Sequence, residues 1–464
     1  MASQFPSDPK SFQWEPQPAA ASFIASLVEQ FLVANHDAAK LAQRMHDETG
    51  TRLVDWIDSI CLPRSFEKGS LEKILAKDGF QSDEMQPHVW HHPGGIFPKI
   101  VVGAANYLKS LEKSENLTLA IKVSDVSSFV RAHGFDESCI VGQPGSRLRV
   151  AYLPPQQDSG LVAIERQGWQ EFSMPCDSPE KITSAEQHLR SFASRKRSCS
   201  SLTEGFDSCA NILQQAIDDL GCDWACHLFF AAERKYWMSR NHAARVQYDR
   251  QQQLGLGWAN HDHHTFRSSR DGFHRLIALL QQMGFQCRER FYAGREAGWG
   301  AQVLEQPQCG IVVFADVDLS PEEIAADFSR LPLPPRDHLG TVGLWCALHG
   351  DSFLEAGMHH LECQFDFDAA CSQLAEAGVE TMAPFTDFSF LKQAFTQGEM
   401  WLVQPSRIEA ALSGGHISPE LAEQFRREGA LGSHLEILER NEGYKGFNQT
   451  GVSEIIMRTD PRKW

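Results

Sequence analysis

Three β-type segments, far apart in the chain, limit how it can fold, because each carries donors that are useful only if the fold brings them together. They are Asn260-His261-Asp262-His263-His264-Thr265-Phe266-Arg267, Met358-His359-His360-Leu361-Glu362-Cys363 and Gly432-Ser433-His434-Leu435-Glu436-Ile437-Leu438-Glu439-Arg440. Two imidazoles and one carboxylate on one side of a cation form a facial triad, which leaves the opposite positions open for substrate and dioxygen. Residues i and i+2 of a strand share a face. His434, Glu436 and Leu438 therefore point one way and Leu435 and Ile437 the other, which sets His434 beside or behind Glu436. The candidate ligands are His263, His360 and Glu436. Periodicity alone leaves His261 and His264 open in the first segment and His359 in the second. With ligands spaced this widely, the fold and not a local loop has to assemble the site.

The order of elements around these segments repeats. The strand at His263–Phe266 leads into a helix with Phe273, Leu276, Ile277, Leu280 and Met283 on its apolar side, ended at Gly284-Phe285. Strands follow around Arg288–Tyr292, Ala301–Glu305 and Ile311–Ala315. Gln302, on the strand after the Gly294–Gly298 turn, is expected to face the cavity and orient substrate. A second unit opens at His360, has a helix from Asp368 to Ala377 ended by Gly378, and finishes with the strand of Glu436, residues 383–430 supplying an intervening strand and an insertion. Both units read βαβββ. Upstream, Leu117–Val123 and a helix over Val126–His133, closed by Gly134, begin the same order. The stretch Leu161–Phe172 echoes Glu436–Phe447 if one residue is inserted in the latter, which puts Val162 where Glu436 stands. The N-terminal half thus reads as a diverged copy that has lost its carboxylate ligand.

The expected protein is α+β: tandem βαβββ modules forming a metal-binding half-barrel, with a diverged N-terminal half and a helical bridge. The expected boundaries are a disordered arm over 1–20, a diverged, metal-free α+β domain over 21–205, a helical bridge over 206–252 and a catalytic domain over 253–464. Within the first domain, Ala21 to about Glu48 is helical and Thr51–Ile60 is the first strand; residues 173–205, with the basic Arg195-Lys196-Arg197, read as a solvated linker. His88, His91 and His92 lie in a turn-like stretch with no carboxylate or Cys at ligand spacing, so structural or surface roles are expected.

Composition narrows the function. A formal net charge of -17 argues against nucleic acid or a membrane surface as partner, since both call for basic patches. Twelve Cys without a CxxC pair fit a reduced compartment better than a disulfide scaffold. The N-terminal Met1–Pro6 lacks the basic and apolar regions of a signal peptide, and no apolar run reaches the ~20 residues of a membrane span. A soluble, cytoplasmic protein is expected.

The strand motifs are similar to those of the vicinal-oxygen-chelate superfamily. Glu436-Ile437-Leu438-Glu439-Arg440, followed by Gly446-Phe447-Asn448, resembles the closing motif of 4-hydroxyphenylpyruvate dioxygenase. Over roughly residues 255–460 the chain more closely resembles the 2-oxoadipate dioxygenase/decarboxylase family. There a His is followed four residues later by an Arg, as His263 is by Arg267, and the helix after it ends as at Met283-Gly284-Phe285 before a strand with a Tyr, like Tyr292. A second His then opens the next module, matching His360, and a Glu completes the site, matching Glu436. The resemblance implies Fe(II) on His263, His360 and Glu436, with Zn, Mn or Ni as alternatives for the same donors, and Arg267 holding a substrate carboxylate. It implies oxidative decarboxylation of a small 2-oxo acid with dioxygen. A glyoxalase-type isomerase or lyase, or a non-catalytic binding protein, would use the same fold. A small carboxylate and dioxygen are the expected partners, with room for a homo-oligomer.

Overall fold

Alternation and helical periodicity build the same unit four times over. In the computed structural model, which describes residues 14–63, 71–103, 117–157, 159–295, 297–448 and 459–463, each unit is a strand, a helix and three further strands, the fourth adding one more short strand. The first two units give an eight-stranded sheet from β1 (Ile57–Leu62), β2 (Gln81–Ser82), β3 (Val89–His91), β4 (Lys99–Val102), β5 (Leu117–Lys122), β6 (Ile140–Val141), β7 (Leu148–Tyr152) and β8 (Ser159–Arg166). The last two give a nine-stranded sheet from β9 (His261–Arg267), β10 (Gln286–Tyr292), β11 (Trp299–Gln306), β12 (Ile311–Asp318), β13 (His360–Gln364), β14 (Thr386–Phe388), β15 (Leu391–Phe395), β16 (Glu399–Trp401) and β17 (Ala430–Arg440). The spatial orders match: β2-β3-β4-β1-β5-β8-β7-β6 in one sheet and β10-β11-β12-β9-β13-β17-β15-β14 in the other, with β16 pairing β17. In each, consecutive modules join where their opening strands pair antiparallel, β1 with β5 and β9 with β13. The protein is thus α+β with the expected tandem modules.

The two halves also share register. In the C-terminal sheet one transverse row holds His263, Glu362 and Glu436, and the next row on the same face holds Thr265, His360 and His434. The corresponding rows of the N-terminal sheet hold Ser59, Ala120 and Val162, then Cys61, Thr118 and Gly160. The expected match of Val162 with Glu436 is the register that the strands adopt. Both sheets carry a β-bulge at the same place, Asp58 being the extra residue in β1 and Asp262 in β9. Each bulge aspartate is gripped by an arginine near the end of the last strand. Arg166 bonds Asp58 at 2.7 and 3.0 Å, and Arg440 bonds Asp262 at 2.9 and 3.0 Å.

Helices pack on the other face of the C-terminal sheet. The Leu202–Leu220, Cys222–Ser239 and His242–Gln253 helices run where a helical bridge is expected, and with the Phe273–Gln282 helix they bury Leu213, Trp224, Phe229, Phe230, Trp237, Leu276 and Leu280 against Phe266, Leu361, Cys363, Leu435 and Ile437. The linker expected over 173–205 is instead largely the Pro179–Ser194 helix, which buries Ile182, Ala185 and Phe192. Two of the three basic residues that follow it are not solvated: Arg195 and Arg197 converge on Glu233, itself fully buried, at 2.5 and 2.6 Å, while Lys196 is exposed. Of the arm expected over 1–20, residues 1–13 lie outside the described residues, and Pro18 already opens the Pro18–Ala34 helix. A proline there is favourable, because a first-turn residue needs no N–H partner and its φ is preset. The expected first strand begins as a short 3-10 turn, Leu53–Trp56, before β1. Among the described residues, His88, His91 and His92 join no metal-type cluster, and no helix is long and apolar enough to cross a membrane.

Candidate metal centre

The bulge at Asp262 settles which histidine faces the cavity. Two residues of β9 span one step of β13, so His263 sits opposite Glu362 while His261 sits opposite Cys363, on the helix side. His264 points the same way as His261, its ring 5.2 Å from that of His261 and its Nε2 3.1 Å from Arg234. His263 is left as the β9 imidazole on the cavity side. Among the described residues, His263, His360 and Glu436 offer donor atoms within 4.8 Å of one another. All three are buried.

Each imidazole is held by its other nitrogen. His263 Nδ1 lies 3.1 Å from Asp262, which Arg440 and Gln364 fix in turn. His360 Nδ1 lies 3.1 Å from His434 Nε2, and His360 Nε2 lies 3.0 Å from Glu436 Oε2. A ring fixed in this way presents a defined lone pair to a cation, and such supports raise ligand basicity. Burial keeps His360 well below the ordinary imidazole value, and burial with Arg267 nearby brings His434 down to about 3, so both rings are neutral, as ligation requires. Burial would raise Asp262, but the Arg440 guanidinium and His263 hold its carboxyl well below the usual range.

The donor set has a fourth member. Glu362, fully buried, stands between His263 and Glu436 in their row, and its Oε2 touches His263 Nε2. One amide, that of Gln393, donates to both carboxylates, at 3.1 Å to Glu362 and 3.2 Å to Glu436. Burial, then Glu362 and Asp262, push Glu436 well above the ordinary carboxyl value; burial also raises Glu362. Two buried carboxylates side by side repel, and a divalent cation between them removes the repulsion. The residues present therefore fit a metal ion.

Above the donors lies a cavity of about 60 Å³, walled by Phe291, Trp299, Phe314, Phe385, Phe395 and Phe447. It has room for a handful of waters. Arg267 closes one side. Its guanidinium is buried, Nε and Nη1 have no hydrogen-bond partner, and the nearest carboxyl, Asp316, stands at 4.0 Å. Burial outweighs Arg267 and lifts Asp316 to about 8, so at neutral pH that carboxyl is largely uncharged and does not neutralise the guanidinium. Trp345 stacks at 5.6 Å. Gln302, by contrast, does not reach the cavity. In β11 the cavity face carries Trp299 and Ala301, so alternation turns Gln302 away, and its amide donates to the carbonyls of Glu289 and Val303. Gln393 is the glutamine that meets the donors. A signal for Glu362 was present in its spacing of two from His360; Asp316 and Gln393 carried none.

The chain matches no family model and no curated relative. Solved structures that it resembles include a candidate hydrolase from Shewanella frigidimarina, at 15% identity over 48% of this chain and 98% of that one, with a TM-score of 0.33. A mutant of 4-hydroxymandelate synthase from Streptomyces coelicolor matches at 14% identity over 73% and 95%, TM-score 0.29, and methylmalonyl-CoA epimerase from Mycobacterium tuberculosis at 13% over 39% and 88%, TM-score 0.23. At these scores the likenesses carry no argument about chemistry, which rests on the chain's own residues.

Proposed function

We propose that the protein is a non-haem Fe(II)-dependent dioxygenase that oxidatively decarboxylates a small 2-oxo acid bearing a second carboxylate, as its resemblance to the 2-oxoadipate dioxygenase/decarboxylase family implies. The observation that supports this reading best is the pairing, in one buried cavity, of a two-His, one-Glu donor set with a guanidinium two of whose nitrogens have no hydrogen-bond partner. Bound iron would supply chelation of the 2-oxo acid and activation of dioxygen. The chain does the rest. His263, His360 and Glu436 present donors on one side, with Asp262 and His434 fixing the two rings. Arg267, planar and always charged, grips the far carboxylate with the N–H groups that have no other partner. The aromatic wall excludes bulk water and strengthens that grip.

A second reading, a metal-dependent isomerase or lyase without dioxygen, is favoured by Glu362, because an extra carboxylate among the donors suits a site that moves protons. The two are separated by dioxygen uptake. Protein purified anaerobically, loaded with Fe(II) and offered a panel of 2-oxo acids is expected to consume dioxygen and release carbon dioxide with one of them, and Glu436→Ala is expected to do neither. Metal-loaded protein that turns over a 2-oxo acid without dioxygen would establish the second reading.

A further inference from the structure

We propose that Glu362 is a fourth protein donor to the cation, making the resting site two-imidazole, two-carboxylate. The inference rests on the metal reading above and extends its ligand set.

Position is the first argument. β13 lies between β9 and β17, and Glu362 is the central residue of the row that runs from His263 to Glu436. A cation held by the outer two members of that row and by His360, two residues along β13, would come within reach of Glu362, whose Oε2 already touches His263 Nε2. The second argument is the state of its oxygens. Oε1 accepts only the Gln393 amide, which it shares with Glu436, and Oε2 has no hydrogen-bond donor although it touches His263. A fully buried carboxylate with an oxygen that nothing donates to is costly. Arg440, the arginine whose charge acts on Glu362, is spent on Asp262 and on the carbonyls of Tyr444 and Gly446.

The N-terminal half supplies the third argument, since it holds the same register without the donors. Where the C-terminal half has His263, Glu362, Glu436 and His360, it has Ser59, Ala120, Val162 and Thr118. The fold therefore does not need a carboxylate at the position of Glu362, and the half that lacks the other donors lacks this one as well. If Glu362 served only to brace β13, its counterpart would have no reason to vanish together with the ligands.

A fourth donor changes what the site has to do. It would leave one open position fewer than a facial triad leaves, so in the oxygen-dependent reading Glu362 would have to give way to a chelating substrate, whereas an isomerase could keep it. The test is metal titration of the full chain with Mn(II) and with Co(II), the latter followed by its visible absorption, for wild type, Glu362→Gln and Glu362→Ala. We expect both variants to lose tenfold or more in affinity and to shift the Co(II) bands, and metal-free Glu362→Gln to melt higher than metal-free wild type as the neighbouring carboxylates stop repelling. A drop in affinity with unchanged Co(II) bands would make Glu362 an outer support and overturn the proposal, as would unchanged affinity. Wild type that binds neither ion would overturn the metal reading itself, a result distinct from either. Should one variant fail to fold, the other carries the comparison.

Discussion

Replacing Asp262 by Asn tests how far the imidazole of His263 depends on the chain behind it. The carboxylate accepts from Arg440 at 2.9 and 3.0 Å and from Gln364 at 2.8 Å, and lies 3.1 Å from His263 Nδ1. The ion pair is almost closed to solvent, with 6% of the Asp262 side chain and 7% of the Arg440 side chain exposed. An amide keeps one acceptor and turns its NH₂ toward either the guanidinium or the ring. Arg440 then remains buried as a charge with only two carbonyls around it, and breaking a buried pair in this way costs about 3–5 kcal/mol. The ring of His263 also loses its anionic support, which corresponds to roughly 10- to 100-fold in metal affinity. Asp58→Asn is the matched control, for Asp58 and Arg166 form the same pair with 7% and 8% exposure and no imidazole nearby in register. Denaturant unfolding of metal-free protein is expected to show both variants destabilised to a similar degree, and Mn(II) titration to show weakened binding for Asp262→Asn alone. Equal metal affinity in wild type and Asp262→Asn, or an equal loss in both variants, would refute the idea that the carboxylate acts through the ring.

Other outcomes follow from the same geometry. Arg267→Met should raise stability by about 1–3 kcal/mol, because two buried donor nitrogens without acceptors are removed, while substrate affinity falls roughly 10- to 100-fold; thermal melts and KM measurements check the two halves. Asp316, lifted from 3.8 to about 8, holds a proton in the folded state that the unfolded chain has released, so its contribution makes stability fall as pH rises from about 4 towards 8, by at most about 1.4 kcal/mol per pH unit. Asp316→Asn should flatten that slope in urea titrations at a series of pH values; an unchanged slope would place the proton elsewhere. Val162→Glu should cost about 3–5 kcal/mol without creating a second metal site, since it would bury a carboxylate in the apolar cluster of Cys61, Val101, Leu148, Ile164 and Phe172, in a row whose other members are Ser59 and Ala120. Unfolding curves and metal stoichiometry report on that pair of expectations.

Much of the site was legible because strands declare a face. His434 and Glu436 on β17, and His263 with Arg267 on β9, fall on one side by a period of two, and the structure brings them to one cavity. What that period does not declare is where it slips. The bulge at Asp262 removes His261 from the donors, and only pairing with β13 creates it. Gln302 failed for the same reason in simpler form: a strand's phase relative to the core is one residue from its opposite, and nothing around Gln302 fixed it. Pairings between distant segments were equally out of reach, as with Gln393 on β15 reaching Glu362 and Glu436, or Arg195 and Arg197 meeting Glu233. The Pro179–Ser194 helix was a different kind of miss. Ile182, Ala185, Leu189 and Phe192 recur at helical spacing, but polar and charged neighbours gave the stretch the look of a linker.

The junction of β9 with β13 gives the centre a mechanical side. His263 belongs to one module and His360, Glu362 and Glu436 to the next, so the donors sit astride the line along which the two modules are zipped together. An ion gripped from both sides would act there as a rivet. Stripping it with a chelator should loosen the join as well as empty the site, and amide exchange along β9 and β13 should quicken while β1 and β5, whose paired residues carry no such donors, keep their pace.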